Sequence, residues 1–132
     1  MPVPANPLKR DFFVYIFRAD GYPFYVGIGR DKRASDRLRY IRSLTAAQLA
    51  EKTLKDRVMA ALDGRTTVTY TRTRIPLDRP QALAMEKLKI QQLLRKGYYL
   101  TNEHYNPHWD GDASRAVRAI LGKRLRPSDH LI

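Results

Sequence analysis

The chain has 132 residues, 43% hydrophobic and 29% charged, a balance that suits one folded domain with a modest core and argues against disorder. Its formal net charge of +12 predicts a polyanion partner, nucleic acid first, over a charge kept only for solubility. The absence of cysteine excludes a disulfide framework and a cysteine-ligated zinc site. With no apolar run near the ~20 residues of a membrane span and no signal-peptide core in residues 1–4, the expectation is a soluble intracellular protein without a membrane partner, cytoplasmic or nucleoid-associated.

Residues 1–11 are rich in proline and lack periodicity, which predicts a loose N-terminal arm. Residues 12–18 and 23–28 are apolar, aromatic runs on either side of Asp20-Gly21, and Asp-Gly between two such runs signals a β-hairpin. The second run ends in Gly27 and Gly29, which predict a loop where another molecule can approach the backbone. Arg30, Lys32, Arg33, Arg37 and Arg39 follow at once, a layout suited to phosphate.

Residues 33–43 read as a helix. A second helix is expected from Thr45, a capping residue, to Gly64, with Leu49, Leu54, Val58, Met59 and Leu62 on its buried face. Residues 66–75 alternate with period two and are threonine-rich, a strand stopped by Pro76. Asp78-Arg79-Pro80 opens a helix that runs to Lys96 and stops at Gly97. A loop reaches Trp109, and a basic amphipathic helix over about residues 113–125 turns Val117, Ile120 and Leu121 inward, within a C-terminal segment 110–132 packed on the domain. The order β-β-α-α-β-α-α predicts an α+β fold, a small, mostly antiparallel sheet flanked by helices.

Glu86 is the most informative single residue. Leu83, Ile90, Leu93 and Leu94 define the apolar arc of its helix at ~100° per residue, and Glu86 falls inside that arc. It is either a rim carboxylate paired with an arginine or a ligand for a hard divalent cation. Tyr15 and Tyr25 are hairpin aromatics that pack across strands or groups at a site. Asn102 suits a turn. His104 and His108 are separated by Pro107, which argues against a helix presenting both to a metal. Tyr105 and Trp109 either stack on a base or anchor the loop.

Val14-Tyr15 and Tyr25-Val26-Gly27, facing each other across the hairpin, resemble the paired motif of the GIY-YIG nuclease superfamily. Tyr25, Val26, Gly27, Gly29 and Arg33 resemble the branch written YVGKGxxxRxxxH, with Ile28 at its lysine and Arg37 at its histidine. Glu86, and Asn102 after Leu100-Thr101, match later landmarks in order and spacing, so that the resemblance covers roughly residues 12–106 of a nuclease-like domain expected over 12–109. The resemblance implies a three-stranded GIY-YIG-type sheet and a metal-dependent endonuclease acting on DNA, with RNA left open. It implies one Mg²⁺ or Mn²⁺ held by Glu86, water activation by Tyr15 or, next, Tyr25, and phosphoryl-charge stabilisation by Arg33 with Arg37 assisting; Asn102 would hold the site together.

Isoleucine at 28 cannot favour a tyrosinate as lysine would, so Arg30 or Lys32 is expected to supply that charge. Arginine at 37 cannot readily take a proton. These departures define the alternative, a catalytically weak or inactive nucleic-acid-binding protein on the same fold.

Overall fold

The computed structural model describes residues 9–123. Most of the expected N-terminal arm, and residues 124–132 with the end of the expected C-terminal helix, lie outside the described residues. Strands β1 (Phe12–Ala19) and β2 (Tyr22–Arg30) form the expected hairpin. Asp20 and Gly21 both take positive φ, 49° and 86°, the left-handed pair that a tight hairpin turn requires. β3 (Val68–Arg72) pairs antiparallel with β1, and the sheet order is β2-β1-β3. The fold is α+β, as expected.

Helices cover both faces of this sheet. α1 (Arg33–Ser43), α3 (Leu54–Asp63) and α5 (Ala113–Lys123) pack against Tyr15, Phe17 and Ala19 of β1. α4 (Arg79–Arg95) packs on the other face against Val14 and Val26. A bulge in β2 opposite Phe17 and Arg18 changes the parity of the strand. Before it Tyr22 faces the three-helix side, and after it Tyr25 does, because one extra residue flips every later side chain. The bulge thereby sets Tyr25 on the same face as Tyr15.

Three expectations change. The helix expected over residues 45–64 is two helices, α2 (Ala46–Ala50) and α3, because Thr53 takes an extended backbone (ψ 163°) and restarts the chain. Thr45 and Gln48 form a reciprocal capping box on α2, but α2 buries no residue, so no core contact carries it onward. β3 is shorter than residues 66–75; beyond it Thr73 still bonds Val14, and Leu77 bridges Phe12. On α4 the buried arc runs through Ala82, Ile90 and Leu93, while Leu83 is 39% exposed. Glu86 stands four residues from both Ala82 and Ile90, nearer the centre of the arc than Leu83 implies.

Asp78 and Gln81 form the capping box of α4, and Gly97 (φ 89°) ends it. α5 buries Ala116, Val117 and Ile120 in the same cluster as α1 and α3, so it belongs to the folded body. Among the described residues no helix is long and apolar enough to cross a membrane.

Candidate active site

Tyr15 and Gly27 are cross-strand partners, and the Tyr15 ring lies over the glycine. A Cβ at Gly27 would sit 2.7 Å from the Tyr15 hydroxyl, and one at Gly29 would sit 2.6 Å from Arg33 Cβ. Both glycines are therefore in β2, not in a loop, and the space they leave is filled by the protein's own tyrosine and arginine. This corrects the expectation of backbone held open to a ligand at Gly27 and Gly29. α1 begins directly after the β2 exit, which folds the Arg33 stem back over the strand and brings its guanidinium to the Tyr15 hydroxyl.

α3 brings two residues that the motif did not suggest. Lys55 Nζ donates to the Tyr25 hydroxyl at 3.0 Å and stands 4.9 Å from its ring centroid. It supplies the cation that Ile28 lacks. Arg30 and Lys32, expected in that role, do not: Arg30 stacks on Phe12 and pairs with Asp11 at 3.1 Å, and Lys32 is the exposed N-cap of α1. Asp56, 4% exposed, accepts from Arg37 Nη1 at 3.5 Å, which anchors that guanidinium beside Tyr25. Arg39 is exposed and pairs with Asp36 at 3.7 Å.

Glu86 faces Tyr25 and Lys55 across a cleft of about 250 Å³ that His104 and Trp109 also line. Asn102 also lines the cleft, but its amide is committed to β2. Its Oδ1 accepts from Val26 N at 3.0 Å and its Nδ2 donates to Val26 O at 2.8 Å, so the amide pairs with the outer edge of β2 as a strand residue would. Thr101 N donates to Phe24 O at 2.8 Å in the same row, and Asn106 Nδ2 donates to the carbonyls of Leu100 and Asn102. The loop after α4 is thus stitched to β2, and it carries His104 to Glu86.

The charges are graded. Burial above all pushes the Tyr25 hydroxyl up to about 12; the Glu86 and Asp56 carboxylates add to this, and Arg37 and Arg33 oppose it. Burial also raises Tyr15, with Tyr25 adding and Lys55 and Arg33 opposing. Glu86 is raised above the usual carboxylate range by burial, against the pull of His104 and Lys55. Both tyrosines are hydroxyls at neutral pH.

The raised Glu86 gives a stability prediction. A carboxyl that holds its proton more tightly folded than unfolded favours the fold in acid and opposes it once ionised. Glu86→Gln is therefore expected to raise the melting temperature at pH 7, the gain fading as pH falls through the carboxylate range. Thermal melts at both ends of that range check it; an equal shift at each would contradict it.

Among the described residues no group of three or more His, Asp or Glu could cage a metal. Mg²⁺, however, is commonly bound through one or two carboxylates, with waters and substrate phosphate completing its shell. Glu86, with exposed Glu103 lining the same cleft, fits that second kind of site. Comparison of the chain with protein-family models, with curated proteins and with solved structures gives no match.

Proposed function

We propose that the protein is a metal-dependent endonuclease that hydrolyses phosphodiester bonds in DNA. The observation that carries this is that Tyr25, with Tyr15 and Arg33 beside it on the three-helix face, meets Glu86 of α4 across one cleft. A divalent cation bound by Glu86 would supply Lewis-acid stabilisation of the phosphoryl charge. Arg33 meets the phosphoryl oxygens through a planar fork whose charge is independent of pH. Arg37, held by Asp56, adds a second positive charge. The Tyr15 and Tyr25 hydroxyls orient the attacking water, and the Lys55 ammonium holds Tyr25 in place and favours its ionised form.

A tyrosine pushed to about 12 also suits a second reading, a nucleic-acid-binding protein that cleaves weakly or not at all. Incubation of supercoiled, single-stranded and branched DNA with Mg²⁺, Mn²⁺ or EDTA separates the two: metal-stimulated strand breaks support the nuclease, and binding without breaks supports the alternative.

Lys55→Met is expected to slow cleavage about 10- to 100-fold, the range for a partner that orients a reacting group. Removing a cation beside a phenol disfavours the ionised form, so the rise of rate with pH should move to higher pH. Lys55→Arg should restore part of the rate. A slower enzyme with an unmoved pH profile would reduce Lys55 to a packing contact.

A further inference from the structure

Six arginines are each matched to an aspartate: Arg30 to Asp11, Arg37 to Asp56, Arg39 to Asp36, Arg42 to Asp63, Arg72 to Asp31 and Arg115 to Asp110. Nine other described arginines have no such partner, and three of these converge on one place. Arg57, Arg65 and Arg118, with Ser114, line a cleft of about 290 Å³ between α3 and α5. Among the described residues none of the three has a carboxylate within ion-pair distance. Arg57 Nε is itself buried and has no hydrogen-bond acceptor among the described residues. The acid whose charge Arg118 feels, Asp112, is committed to the start of α5, where its Oδ1 accepts from Arg115 N at 3.0 Å.

We propose that this cleft is a second phosphate site, holding a phosphodiester of a bound nucleic-acid strand away from the reacting bond. The proposal rests on the nucleic-acid reading above. Three guanidinium groups without an ion-paired carboxylate, one with a buried unused donor, match phosphate oxygens in charge and in donor type. α3 bears on both clefts: Lys55 faces the first and Ala61 the second. They are ~9 Å apart along the helix axis at ~1.5 Å per residue but about 120° apart around it at ~100° per residue, so a strand that occupies both must wrap around α3.

The test compares the parent with Arg65→Gln/Arg118→Gln, both exposed positions. Arg79→Gln/Arg95→Gln, on α4 across the sheet, is the control of equal charge. Duplex affinity is measured in EDTA between ~50 and ~200 mM salt, where each phosphate contact contributes about 0.9 to the slope of log affinity against log salt. The cleft variant should lose about 0.9 of slope relative to the control, and DNA should shift the Arg57 Nε–H resonance of the parent. Equal slopes in the two variants overturn the site while leaving DNA binding by the parent intact. A parent that does not bind DNA overturns the nucleic-acid reading and the strand proposal together. An Arg57 signal moved by inorganic phosphate with equal slopes assigns the cleft to a free anion, and one moved only by polyglutamate assigns it to an acidic protein; both overturn a strand.

Discussion

Glu86→Gln is expected to reduce metal-stimulated DNA cleavage on the order of 10³-fold. An outer partner of a metal ligand is worth about 10- to 100-fold, and Glu86 is the carboxylate most deeply set in the cleft, so its loss exceeds that range. Glutamine keeps the size and the hydrogen-bonding capacity but not the charge that attracts a hard cation. Affinity for DNA in EDTA should hold or rise, because a negative charge beside the phosphate has gone. The same substitution should lower the Tyr25 pKa from about 12, since the Glu86 carboxylate is the second-largest cause of that rise, after burial. A tyrosine absorbance titration reads this without any turnover. Cleavage that survives the substitution would place the activity elsewhere or in a contaminant; an unmoved Tyr25 would break the link between the two groups.

The second large effect concerns stability. Asn102→Ala removes two buried hydrogen bonds and leaves Val26 N–H and C=O on the β2 edge without partners. Buried groups stranded in this way cost about 1–3 kcal/mol each, so a loss of about 2–5 kcal/mol is expected. At ~4 °C per kcal/mol for a domain of this size, the melting temperature should fall by roughly 10–20 °C. Asn102→Asp should recover part of the loss, because it keeps the acceptor for Val26 N–H. A melt within about 2 °C of the parent would mean that water serves Val26 as well as the amide does. Cleavage measured well below the new melting point separates support of the site from participation in it.

Local signals were the legible ones. The Asp-Gly turn, the helix over residues 33–43 and the Asp78–Gly97 frame of α4 follow from turn chemistry, capping and periodicity, and each stands where those rules put it. The break at Thr53 was not legible, since residues 45–64 keep helical periodicity while the chain restarts between Glu51 and Leu54. Lys55 and Asp56 were missed for the same reason: within one long helix they read as solvated surface charges, and only the restart aims them at Tyr25 and Arg37. A threonine followed three residues later by an acid was the available sign, although Thr53 makes no side-chain cap. Asn102 was legible as a position, but its task was not, because nothing local says that a loop residue will complete a sheet edge seventy-six positions away.

The glycines of β2 have a consequence for how the chain tolerates change. Gly27 and Gly29 are the negative image of Tyr15 and Arg33, each shaped to a partner encoded elsewhere in the text. An added methyl at 27 should therefore be harmful beside tyrosine and far less so beside a small residue at 15. The effects of the two changes will not add, since residues in direct contact couple. Position 29 stands in the same relation to Arg33. Variation in this protein is thus expected to move in linked pairs, and a glycine judged alone would have its importance assigned to the wrong cause.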